Sequence, residues 1–147
     1  MRTIATEITI DATPEEVWAT LVDLPRHCTW NPFIREAAGE VAVGERLTLT
    51  MYPRSGKPAT FRPTVVVAKP ATELRWIGHF LVRGLFDGEH YFRLAEGPGR
   101  TTRLEHGERF RGLLVPLLGR MLDGTARDFT AMNEALRDRV RSARGTR

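Results

Sequence analysis

The residues from Gly112 to about Arg141 constrain this chain most. Leu114, Leu117, Leu118, Met121, Leu122, Thr125, Phe129, Met132, Leu136 and Val140 recur at three- and four-residue steps. That spacing lines up one face of an α-helix. Asp123, Arg127, Asp128, Glu134, Arg137 and Asp138 fall mostly on the opposite side. A helix this long needs a partner surface of similar length, because helical stability in proteins comes mainly from packing an apolar face. The preceding two thirds of the chain must supply that surface.

They read as strands. Arg2 to Ile10 alternates, with Ile4, Thr6, Ile8 and Ile10 on one side, the pattern of a half-buried strand. Thr13 is a good helix N-cap, Pro14 suits the first helical position and Glu16 completes a capping box. The spacing predicts a helix through Val17, Trp18, Leu21 and Val22 to about Leu24, ended by Pro25. A second short helix or turn is expected over Pro25–Phe33. Strands are then expected at Ile34–Ala38, Arg46–Tyr52, Thr60–Ala68, Glu73–Phe80, Phe86–Ala95 and Thr101–Arg111. Ser55-Gly56-Lys57-Pro58 and Glu96-Gly97-Pro98-Gly99 read as turns, and Pro63 marks an edge or a bulge. Strands with helices gathered on one side give an α+β domain. Residues 1–141 form one domain, and 142–147 form a basic C-terminal tail.

The formal charge is +4, and residues 137–147 carry all of the excess. A nucleic-acid surface needs distributed cations with interleaved aromatics, so no nucleic-acid partner is expected. No stretch approaches the ~20 apolar residues of a membrane span, and the N-terminal residues lack a signal peptide's apolar core. Cys28 is the single cysteine, which excludes an intrachain disulfide, and it is expected to be buried or half-buried. These features point to a cytoplasmic protein without stable membrane insertion, a monomer or a homodimer.

The motif order resembles a known family. Thr13-Pro14-Glu15-Glu16-Val17-Trp18 is similar to the opening helix of the START-like, or SRPBCC, superfamily. Asp23 followed by Trp30-Asn31-Pro32-Phe33 resembles its second landmark. Leu74-Arg75-Trp76, Leu85–Phe92 and His106–Gly112 resemble its polyketide cyclase/dehydrase-like, ligand-binding subgroup. The resemblance spans about residues 3–140. It implies a helix-grip fold: a curved antiparallel sheet of about six to seven strands around a long C-terminal helix, with two short helices between the first two strands. It also implies an apolar cavity between sheet and helix. Members bind lipids, sterols, polyketides or plant hormones, and a minority catalyse cyclisation or dehydration.

Candidate chemistry gathers on the inner face of the last strands. His106 and Glu108 are two apart and point the same way, and His90 faces inward from the adjacent strand. A carboxylate beside a histidine in a dry cavity can act as an acid/base pair. A self-satisfied buried cluster that orients a ligand is the plainer reading. No His-x-x-x-His or Cys-x-x-Cys spacing supports a metal, and no cofactor is implied. Trp30, Phe33, Trp76, Phe80 and Phe92 are candidate pocket walls, with Met121, Phe129 and Met132 on the helix. Pro116, Gly119 and Gly124 interrupt the first half of that helix, where an entrance is expected. Three functions remain open: a binder of a small, mostly apolar ligand, a cyclase/dehydrase-type enzyme using the same cavity, or a co-chaperone-like interaction module.

Overall fold

The computed structural model describes residues 1–54, 56–80 and 82–145. Ser55 of the expected turn, the side chains of Phe80 and Arg144, and Arg147 lie outside the described residues. Strand β1 (Arg2–Ile10) leads into helix α1 (Pro14–Leu21) and a 3-10 turn at Leu24–Thr29. Thr13 caps α1 by accepting a hydrogen bond from the Glu16 N–H at 3.2 Å. The strands β2 (Ile34–Ala38), β3 (Thr48–Met51), β4 (Ala59–Phe61), β5 (Thr64–Lys69), β6 (Glu73–Phe80), β7 (Phe86–Gly97) and β8 (Thr101–Arg111) follow. The chain ends in a 3-10 turn at Val115–Leu117 and the 27-residue helix α2 (Gly119–Gly145).

Among the described residues, eight strands form the curved antiparallel sheet as two hydrogen-bonded parts. The larger runs β1-β8-β7-β6-β5 and the smaller β2-β3-β4. The expected strand Thr60–Ala68 is broken at Arg62–Pro63, because proline cannot donate to a ladder. Its halves pair in different sheets. Backbone bonds from the Gly44 and Leu47 N–H groups to Val65 and Pro63 carbonyls stitch the two sheets together. The result is a curved antiparallel surface with α2 packed along it, the helix-grip arrangement.

Leu122, Phe129, Met132, Leu136 and Val140 are buried along α2. Burying five such side chains contributes roughly 10 kcal/mol before entropy is subtracted. The apolar stripe begins later than its spacing suggests. Gly112 (φ +125°) turns the chain after β8, Pro116 sits in the 3-10 turn, and α2 starts only at Gly119. Leu114 and Leu117 are therefore off the helix, and Leu117 stands in solvent. Asp128 departs in the other direction: it is buried, not on the solvent side. At the far end α2 continues through residues 142–145 into the stretch expected to be tail. Cys28 is exposed, whereas its neighbour His27 is the buried one.

Candidate functional site

Register fixes which side chains meet. Alternation puts Trp76, Gly78, His90, Phe92, His106, Glu108 and Phe110 on the inner face of β6, β7 and β8. Trp76 lies opposite His90, His90 opposite Glu108, and Phe92 opposite His106. On β1, Thr6 lies opposite His106. Helix α2 crosses above and adds Phe129 and Asn133.

These residues form one hydrogen-bonded row. Glu108 Oε1 is 2.8 Å from His90 Nδ1, and His90 Nε2 is 2.7 Å from His106 Nε2. His106 Nδ1 is 2.8 Å from Asn133 Oδ1. The Asn133 amide donates to the Thr6 hydroxyl, which in turn donates to the His106 carbonyl, both at 2.8 Å. Phe92 and Phe129 sandwich the His106 ring, with centroids at 4.3 and 4.2 Å. Trp76 stacks on His90 at 4.8 Å.

The direction of every proton but one follows from the far end. A carbonyl only accepts, so the Thr6 hydroxyl gives its single proton to the His106 backbone. Thr6 then accepts from the Asn133 N–H, which turns the Asn133 oxygen toward His106. His106 Nδ1 must therefore carry a proton. Burial, reinforced by the adjacent His90, holds the His106 pKa well below 6.5, so the ring is neutral and its Nε2 accepts. His90 Nε2 must donate to it. One proton then remains for the pair His90 Nδ1 and Glu108: it sits on the imidazole or on the carboxyl. Among the described residues no buried side-chain nitrogen or oxygen lacks a partner.

The Glu108 end of the row reaches a cavity of about 660 Å³. Its floor is the large sheet at Trp76, Phe86, Glu108 and Phe110. Its walls come from Met51, Ala59 and Phe61 of the small sheet and from Leu118, Met121, Leu122 and Thr125 around the start of α2. Two glycines make the space. Gly78 and Gly88 are cross-strand partners in the floor, and a Cβ on Gly88 would collide with the Glu108 carboxylate. Exposed Lys57 and Arg120 also stand on the lining, so the cavity reaches the surface there. Buried Asp128 lines it too. Burial raises its pKa, opposed by the Arg54 N–H, on which it makes a 3.4 Å bond, and by the charge of Arg54.

Of the candidates read from sequence, Phe33, Trp76, Glu108 and Met121 line the cavity. His90 and His106 stand behind Glu108, in the row. Phe92, Phe129 and Met132 are buried in the core around the histidines. Trp30 lies away from the cavity and packs on His27 at 4.7 Å. The row's remaining members, Asn133 and Thr6, carry no sequence motif. Gly88 did leave a signal, since an isolated glycine within a strand pattern marks a close approach.

The family model described as polyketide cyclase / dehydrase and lipid transport matches residues 1–141. The chain belongs to that family. Among curated proteins, none matches the sequence. Similar solved structures include the Zhui aromatase/cyclase from Streptomyces sp. R1128, at TM-score 0.78 and 14% identity, covering 95% of this chain and 93% of that one. A START superfamily protein from Mycobacterium smegmatis is similar at TM-score 0.72 and 17% identity, covering 96% and 98%. At these identities the likeness shows the fold. Membership of the polyketide cyclase/dehydrase and lipid transport family supports a ligand-binding or cyclase role.

Proposed function

We propose that the protein binds a small, mostly apolar molecule, a lipid, polyketide or similar compound, with its polar end at Glu108. One observation carries this: a mostly apolar cavity of about 660 Å³ whose floor carries the Glu108 carboxylate, backed by two buried histidines. Ligand pockets have this character, a mostly apolar lining with a few placed polar groups and a volume of ~300–1,000 Å³. The proton shared by Glu108 and His90 can be offered to a ligand carbonyl, or the pair can accept one from a hydroxyl. The open cavity also favours ligand binding over a co-chaperone-like module, which would need a filled interior.

Native mass spectrometry of the purified protein should show a co-purified small molecule. Thermal shift against a panel of fatty acids, sterols and aromatic polyketides should show stabilisation that Phe61→Trp, which fills the cavity, abolishes. An empty spectrum together with no shift from any compound would sink the proposal.

A second reading is a cyclase/dehydrase-type enzyme, favoured by the single movable proton at the cavity face. General acid–base catalysis needs such a group within reach of substrate. Glu108→Gln separates the two. Lost turnover with retained affinity supports catalysis, and weakened affinity with no turnover in either protein supports binding alone.

A further inference from the structure

Seven large apolar side chains stand in solvent among the described residues, and four of them share one end of the molecule. Val82 is in the loop between β6 and β7. Leu113 and Leu117 are in the connection between β8 and α2, and Met121 is in the first turn of α2. The two loops are held together: the Leu113 N–H donates to the Gly84 carbonyl at 3.1 Å, and the Leu114 N–H to the Leu85 carbonyl at 2.9 Å. Leu113 and Leu117 are 79% and 78% exposed, so they project rather than lie flat. Leu118 and Met121 beside them line the cavity, which places these loops at its mouth.

Exposed basic side chains outnumber the acids at this end. Arg83, Arg111, Arg120 and Lys57 are exposed around it. The nearby acids are engaged: Asp87 accepts from the Gly84 N–H and pairs with His79, and Asp123 pairs with Arg2. We propose that this end docks reversibly on an anionic lipid surface. Leu113 and Leu117 enter the headgroup layer, while Arg83, Arg111, Arg120 and Lys57 meet its phosphates. Projecting apolar tips ringed by cations are what interfacial binding requires. None of the four projecting side chains is aromatic, the type that protein interfaces favour. Among the described residues no helix is long and apolar enough to cross a membrane, and surface docking needs none. Docking here would also set the cavity mouth against the bilayer, so an apolar molecule could pass without crossing water.

The test is co-sedimentation with vesicles of phosphatidylcholine alone and of phosphatidylcholine with phosphatidylglycerol. No cavity ligand is added, so the result does not depend on the proposed ligand binding. The protein should partition onto the anionic vesicles, and less so as salt is raised. The double variant Leu113→Ser, Leu117→Ser should partition at least about tenfold less. Arg83→Gln and Arg111→Gln should each cost roughly fivefold. Val43→Ser, at an exposed valine elsewhere, should bind like the parent. Thermal melts establish that each variant is folded. Equal binding to both vesicle types, or undiminished binding by the double variant, overturns the proposal. So does a dimer in sedimentation velocity that the double variant dissociates while no vesicle binding is seen, which would assign the face to a second copy.

Discussion

Strands β6, β7 and β8 carry a polar cluster on each face, and the two are built on opposite terms. On the outer face the Tyr91 ring lies over Gly107, with the guanidinium groups of Arg93, Arg75 and Arg109 at 4.6, 5.1 and 5.8 Å from its centre. Glu73 bonds both Arg75 and Arg93, Glu89 bonds Arg75, and Glu105 takes Arg93 and the Tyr91 hydroxyl. Burial, with Glu105 beside it, pushes the Tyr91 phenol up. On the inner face, each step of the row from Glu108 to Thr6 is a single hydrogen bond. The outer cluster has redundant partners and water at its rim. The inner row has no redundant partners and meets the open cavity only at Glu108, so each member dictates the next. A redundant charged cluster holds strands together, whereas a row without redundancy can present one proton at a chosen place.

The largest expected effect follows from that lack of redundancy. Asn133→Leu strips partners from both His106 and Thr6 in a dry interior and should destabilise by about 3 kcal/mol. Arg93→Ala on the outer face, where the guanidinium is partly exposed and Arg75 remains, should cost no more than about 1 kcal/mol. Urea denaturation of both variants measures this, and equal losses would break the contrast.

Between pH 7.5 and 5.5, acid should act through the buried His27 and His106. Burial lowers the pKa of His27 and of His106, the latter with help from His90. The bonding is consistent with this. His27 Nε2 donates to the Leu21 carbonyl at 2.7 Å, and its Nδ1 accepts from the Asn31 amide at 3.0 Å. The Asn31 oxygen is engaged by the Phe33 and Ile34 N–H groups. A second proton on either ring would set two donors face to face. The unfolded chain takes up those protons near pH 6.5 and the folded protein does not. Stability is therefore full above about pH 6.5 and falls as pH drops below it. Each histidine contributes up to ~1.4 kcal/mol per pH unit until its folded pKa is reached. At pH 5.5 the melting temperature should be lower by several degrees, and His27→Gln should remove part of that slope. A flat profile between pH 7.5 and 5.5 would show that the rings tolerate charge.

Gly107→Ala probes the outer face at the point where it is not redundant. The added Cβ would overlap the Tyr91 ring and the Ile4 carbonyl of β1. Tyr91 can shift outward, but the backbone of a paired strand cannot. A loss of about 2 kcal/mol is expected, and Tyr91→Phe in the same background should recover little of it. Full recovery would mean that the hydroxyl alone is in the way.

The same contrast explains what was legible in the sequence. Thr101–Arg111 reads correctly end to end, because charged residues alternate with the buried Leu104, His106 and Phe110. The inward direction of His90 and Glu108 follows from that alternation. The start of α2 does not read correctly. Leu114, Leu117 and Leu118 have helical spacing, yet Gly112 and Pro116 break the backbone, and Leu117 serves the surface rather than the core. Asp128 and Asn133 were hidden for another reason. Spacing assigns polar residues on an amphipathic helix to water, and their partners, the Arg54 N–H and His106, lie far away in sequence.

The smallest expected change in stability is the most informative about the site. Glu108→Gln replaces a carboxyl by an amide of the same shape. The amide N–H can donate to a neutral His90 Nδ1, so every bond of the row survives without the shared proton. Stability should stay within about 0.5 kcal/mol of the parent. If the proton instead rests on His90, the substitution leaves a buried imidazolium facing no carboxylate. The loss would then be several-fold larger. Urea denaturation of the variant beside the parent distinguishes the two. Stabilisation by the substitution would contradict either placement, and with it the single-proton description of the row.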